Sequence, residues 1–214
     1  MGNYTEFWAS NRPSVQPPGI YLDDHAPYLL AKYRLPAVWL ALFDVDDLQV
    51  FCYLRHKDSL EVHLASPRDV ASRRLARRSD WLLHRFGSLQ PEWLAQFQGW
   101  LDELPQAYVH LSTMDVAGIT FGTEEWADEL RRILRMFDEP LVAPLAVPEP
   151  PAPSEGLVRS FARWWRNATA PREVMGWDRY NRNFADHSLV DSPAAWAYLG
   201  GNGSDKPVPW DSGD

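Results

Sequence analysis

The chain has 214 residues and a formal net charge of −8 at neutral pH. That balance argues against nucleic acid as the main ligand, because phosphates demand a basic footprint, and it suits a basic protein partner. A chain of this length buries roughly 70% of its unfolded surface without help from staples. Cys52 stands alone, which excludes an intramolecular disulfide and the multi-cysteine zinc sites.

The opening residues, MGNYTEFWAS, lack a basic stretch followed by an apolar run, so no signal peptide is expected. No segment approaches the roughly 18 apolar residues of a membrane helix. The composition therefore predicts a soluble, cytoplasmic protein with no membrane contact, no metal and no cofactor. Eleven tryptophans are many for this length. They serve either as core filling or, in part, as interface anchors.

In chain order, residues 4–9 (YTEFWA) alternate polar and aromatic side chains and predict a half-buried strand. A Pro/Gly loop follows, holding Pro13, Pro17, Pro18 and Gly19. The pattern then predicts two short helices, 26–33 and 37–43, broken at Pro36, the second almost wholly apolar and buried. Asp44, Asp46 and Asp47 make an acidic turn. LQVFCYLR (48–55) and SLEVHLA (59–65) read as a hairpin about the polar turn 56–58.

Ser66-Pro67-Arg68-Asp69 reads as a helix start, with Ser66 as the cap, and the helix should end near Gly87. It carries Arg68, Arg73, Arg74, Arg77, Arg78 and Arg85; Arg73, Arg74, Arg77 and Arg78 could face nucleic acid, but the absence of interleaved aromatic side chains and the negative net charge favour a solvated face. The next helix opens at Pro91 and places Trp93, Leu94, Phe97, Trp100, Leu101 and Leu104 on one stripe. AYVHLS (107–112) predicts a strand. Thr123 should cap a helix whose Trp126, Leu130, Ile133, Leu134 and Phe137 form a second stripe, with acids early and arginines late.

Six of the fourteen residues from 140 to 153 are proline, the mark of a stiff connector. Beyond it the sequence predicts a helix from Ser154, an irregular Trp-rich segment wrapping over the core, and a frayed end of about a dozen residues. The organisation expected is an α+β core over 1–139 with a small, mainly antiparallel sheet, a connector over 140–153, and a C-terminal segment over 154–214 packed on the same core.

Catalytic signatures are sparse. Asp23-Asp24-His25 and Asp186-His187-Ser188 hold acid/base residue types, but adjacent residues do not face one another productively. His63 and His110 fall in predicted strands, where a hydrogen-bonded histidine is the ordinary reading. The acidic groups are more suggestive. Asp44, Asp46 and Asp47 in their turn, and Glu124, Glu125 and Asp128 at a helix start, serve either solubility and the helix dipole or a surface that fills a basic cleft.

Residues 3–43 resemble a group of uncharacterised bacterial proteins. The shared features are a short strand-like segment ending near Ser10-Asn11-Arg12-Pro13, then a Leu-Pro-x-Val-x-x-x-Leu helix, here Leu35 to Leu42. Members of that group look like immunity partners of polymorphic or type VI secretion effectors. The resemblance implies an immunity protein that occludes a cognate toxin, with a DNA-cleaving nuclease as one candidate, and it brings no catalytic residues. The alternatives are an adaptor whose C-terminal segment binds another partner, and an enzyme using His25 or His187.

Overall fold

The computed structural model describes residues 4–14, 27–32, 35–52, 60–86, 89–113, 123–139, 195–202 and 208–210. Strand β1 (Tyr4–Ser10) buries side chains on both faces, which makes it a central strand. It pairs on one side with β2 (Tyr28–Lys32) and on the other with β5 (Tyr108–Ser112). β3 (Leu48–Cys52) and β4 (Leu60–Pro67) form the expected antiparallel pair, and β4 continues the sheet onto β5. A two-residue strand β6 (Gly201–Asn202) closes the far side against β2. The sheet is antiparallel throughout, in the order β3-β4-β5-β1-β2-β6.

The helices cover one face. Helices α1 (Ala37–Leu40), α2 (Arg68–Arg85), α3 (Pro91–Glu103) and α4 (Thr123–Met136) meet the face that carries Phe7, Ala9, Val62, Leu64, Val109 and Leu111. Phe7 is the hub there. Its ring centre lies 5.5 Å from Trp39, 6.2 Å from Phe97 and 6.1 Å from Trp100. Mixed helices packed on an antiparallel sheet make the α+β fold that the pattern predicted. No helix among the described residues is long and apolar enough to cross a membrane.

Three local expectations are corrected. Residues 26–33 are not a helix; Tyr28–Lys32 is a strand. Its short apolar run fits either element, and the free flank of β1 decides, placing Leu29 opposite Phe7 and Ala31 opposite Thr5. Ser66 does not cap α2. It lies inside β4, its Oγ accepts from Arg74 Nη1 at 2.9 Å, and the first helical amide, Arg68 N–H, donates to Ala107 O at 2.8 Å. The end of the chain is not wholly frayed, since Val208 and Trp210 are buried.

Residues 195–202 and 208–210 are bound to the core by tryptophan. Helix α5 (Trp196–Leu199) offers its Leu199 carbonyl to the Trp39 indole N–H at 2.9 Å. The Trp210 indole N–H donates to Gly200 O at 2.9 Å, and its ring sits 5.4 Å from Phe97 and 5.6 Å from Trp100. The predicted connector at 140–153 and the helix from Ser154 lie outside the described residues, as do Trp177, Tyr180 and Phe184.

Candidate functional site

The sheet face turned away from the helices concentrates polar side chains. Strand alternation sends Glu6, Trp8 and Ser10 of β1 to this face, with His110 and Ser112 of β5 and His63 of β4. The register aligns them in cross-strand rows. One row runs Leu30, Glu6, Ser112, His63, Gln49 across five strands; the next runs Tyr28, Trp8, His110, Ala65. Despite its polarity the middle of this face is buried, with Trp8, Ser10, His63 and His110 all nearly inaccessible. Trp8 stacks on His110 with ring centres 5.3 Å apart and planes within 9°.

His110 is the centre of a bonded chain. Its Nε2 lies 2.9 Å from Ser10 Oγ and 3.0 Å from Arg12 O, and its Nδ1 lies 3.3 Å from His63 Nε2. A carbonyl oxygen only accepts, so the Arg12 contact places the proton on His110 Nε2. Nδ1 is then the acceptor, and His63 must donate from Nε2. Ser10 in turn accepts from Arg12 N–H at 3.1 Å and donates its hydroxyl to Arg12 O at 3.2 Å. Each contact is satisfied by this one arrangement of protons.

Serine, histidine and a third group in line are the parts of a nucleophilic triad, but the proton sits on the wrong nitrogen. A general base for Ser10 needs a bare Nε2, and the Arg12 carbonyl would then face a lone pair. The Ser10 hydroxyl is already committed to Arg12. The cluster is therefore a neutral, hydrogen-bonded pair of histidines. Burial lowers the His110 imidazole to about 4, with the Arg12 carbonyl opposing the shift. Burial also holds His63 well below its ordinary value, and the neighbouring His110 adds to that effect.

The acidic turn takes a different part from a spare charged surface. Val45–Asp47 is one turn of 3-10 helix, and the turn is tied at both ends by carboxylates. Asp44 accepts from Val45 N–H at 2.7 Å, and Asp47 accepts from Asp44 N–H at 2.9 Å. Asp47 also forms a close ion pair with Arg74. Burial pushes the Asp47 carboxyl up, with the Asp44 amide and Arg74 pulling it back. Asp46 alone of the three is exposed.

Beneath the turn lies Arg78, which corrects the solvated reading of the arginine run. Its side chain is 1% exposed. Nη1 donates to the Ala41 carbonyl at 3.1 Å and to that of Phe43 at 2.5 Å; Nη2 donates to Asp138 at 2.9 Å. The guanidinium also lies 5.2 Å from the centre of the Phe137 ring. Nε finds no partner among the described residues. Arg74 is likewise mostly covered, while Arg73 and Arg77 face solvent in pairs with Asp69 and Asp138.

Of the other predicted contact residues, Glu125 and Asp128 are exposed on the first turns of α4, and Asp128 accepts from Arg131 at 2.6 Å. Glu124 lies in the same turn, its side chain outside the described set. At 1.5 Å per residue, the ten residues from Asp128 to Asp138 span roughly 15 Å of chain. The two acidic groups therefore mark opposite ends of α4, joined at the far end by Asp138. His25 and His187 lie outside the described residues.

The sequence pattern placed Arg78 on a solvated face and made His63 and His110 hydrogen-bonded strand residues, but it did not bring the two histidines together. Arg78 was findable: Ala71, Leu75, Arg78 and Leu82 fall at helical spacing on one stripe, and all four are buried. His63 and His110 carried the alternation that puts them on one face, but their meeting depends on the β4–β5 register. Among the described residues no group of three or more His, Cys, Asp or Glu is placed to hold a metal ion. No family model, curated protein or solved structure matches this chain.

Proposed function

We propose that this protein is a cytoplasmic immunity protein that neutralises a cognate secreted toxin, of the nuclease class, by occluding its basic active site. The observation that carries this reading is the sorting of charge by the fold. The covered guanidinium groups of Arg74 and Arg78 are turned inward onto Asp47, Asp138 and the backbone carbonyls of Leu42, Ala41 and Phe43. Asp46, Glu125 and Asp128 are left at the surface, where Arg73, Arg77, Arg85 and Arg135 also lie. A chain of net charge −8 thus shields part of its positive charge and displays carboxylates, which steers a basic partner toward it and repels nucleic acid.

The mechanism is steric and electrostatic and requires no cofactor. Exposed carboxylates stand where substrate phosphates would lie in the toxin's cleft, and apolar contacts beside them hold the complex. The N-terminal resemblance to immunity partners of secreted effectors supports the same reading. The locked tautomer of His110 makes Ser10 a poor candidate nucleophile and gives the enzyme alternative no support from that cluster.

The test is affinity capture of the tagged chain from its own organism, followed by expression of the captured partner alone and together with this chain in a second bacterium. A basic, stoichiometric partner that arrests growth alone and is silenced by co-expression is the expected result. A partner that is harmless alone, or whose toxicity survives co-expression, overturns the proposal.

A further inference from the structure

The two edges of the sheet are built differently. The β6 edge is two residues long, and a short edge gives little template for pairing. The opposite edge, β3, runs for five residues in the sequence LQVFC. It holds no proline and no charged residue, and its register with β4 runs unbroken from Leu48 to Cys52, so no bulge turns it aside. Among the described residues β3 pairs with β4 alone. In an antiparallel pair alternate residues direct N–H and C=O away from the partner, so roughly two or three residues of β3 present unpaired backbone groups outward. Natural sheets usually guard such an edge with lysine, proline or a bulge, and β3 has none of these.

Side chains around the edge specify what would pair with it. Val50, at the middle of β3, is the one large apolar side chain exposed among the described residues, at 43%. Asp46 is exposed just upstream of the strand, in the turn that feeds it. Helix α4, which packs beside β3, carries exposed Glu125 and Asp128. The arginines nearest the turn, Arg74 and Arg78, are directed inward and add little positive charge outside. The surroundings are an apolar centre with the exposed Asp46 carboxylate at its border, while Asp128 is paired with Arg131.

We infer that the β3 edge is a docking site for an extended, basic segment of a partner protein, which adds a strand to the sheet beside Leu48–Cys52. Backbone hydrogen bonds hold the segment, an apolar side chain of the partner covers Val50, and a lysine or arginine of the partner meets Asp46. The inference rests on the toxin-neutralising reading for the identity of the partner, and on the sheet alone for the mode of contact. A second copy of this chain fits the edge less well. Self-pairing about Val50 brings together two surfaces that share an excess of acid.

The experiment uses the full chain as bait for a displayed library of random short peptides, followed by amide hydrogen exchange on the selected complexes. Expected are peptides that alternate apolar and basic residues, slow exchange within residues 48–52, and weaken at least about tenfold on Val50→Lys, which installs an edge guard. Asp46→Lys should select against the same peptides, and Val50→Thr, which suits a strand, should retain them. Peptides without that alternation, protection elsewhere, or no enrichment overturns the inference. So does a dimer that forms with rising concentration and is lost in Val50→Lys, because the occupant is then a second copy. A toxin that binds wild type and Val50→Lys alike removes strand addition and leaves neutralisation standing. Peptides that dock on β3 while no toxin exists remove neutralisation and leave the edge.

Discussion

Gly200 lies against the six-membered ring of the Trp39 indole. Its φ of 73° is in the left-handed region, and a Cβ built there would fall 2.8 Å from Trp39 Cη2 and closer still to Cζ2. Two independent demands, a backbone shape and a close approach, thus meet at one residue beside the Trp39 indole that donates to Leu199. Gly200→Ala should cost about 2–4 kcal/mol, combining left-handed strain with overpacking. For a chain of this size that lowers the melting temperature by roughly 5–15 °C. Calorimetry reads it directly, and an unchanged transition would show that this contact is not part of the folded core.

Acid should weaken the fold through His110. Its folded value near 4 lies below the ordinary 6.5, so between those values the unfolded chain binds more protons. Stability is complete above about pH 6.5 and declines as pH falls through the window toward 4. A shift of this size, at about 1.4 kcal/mol per unit, removes about 3 kcal/mol by pH 4. His63 shifts in the same direction and steepens the slope. Urea midpoints at pH 7.5, 6, 5 and 4.5, taken as roughly spaced points across that window, should fall steadily for the native chain and less for His110→Gln. Equal slopes for the two proteins would remove His110 as the cause.

Arg78 should matter more than its surface-like sequence context suggests. Arg78→Met leaves the Ala41 and Phe43 carbonyls without their donor and should cost about 3 kcal/mol. Asp138→Asn, at a half-exposed carboxylate, should cost less, about 1–2 kcal/mol. The double variant should lose less than the sum, because both changes break one contact. Additive losses in chemical denaturation would show the Arg78–Asp138 pair to be energetically idle.

The three turn aspartates should separate into two kinds. Asp47→Ala removes the turn closure and the Arg74 pair and should destabilise by about 1–2 kcal/mol. Asp46→Ser should leave the melting temperature within about 1–2 °C while slowing association with a basic partner and flattening its salt dependence. Stopped-flow association at two salt concentrations measures the second effect. Identical rates for Asp46→Ser and the native chain would take the turn out of the interface.

Much of this architecture was legible because it follows from local periodicity. The stripe from Trp93 to Leu104 and the one from Trp126 to Phe137 lie where helical spacing put them, and alternation identified β1 as a strand, though one buried on both faces and not half-buried. What escaped depends on partners distant in sequence. Tyr28–Lys32 is a strand because β1 has a flank to fill, and nothing within those five residues says so. Asp44 and Asp47 read as a display of charge until Arg74 and Arg78, some 27 to 34 residues on, are seen beneath them. The histidine chain needs the register of three strands before Ser10, His63 and His110 share one face. Asp46 and Val50 could be read as exposed only once the fold had used up their neighbours.

The bond from Trp39 to Leu199 also sets a timetable. The donor and its acceptor are 160 residues apart. At translation rates of about 5–20 residues per second, the ribosome needs roughly ten to thirty seconds to deliver one after the other. Through that interval a nascent chain holds a large indole with an unmet N–H and the flank of β2 without its last strand. A chaperone that recognises aromatic surface would find its target in this window, and the delivery of residues 195–210 would end it.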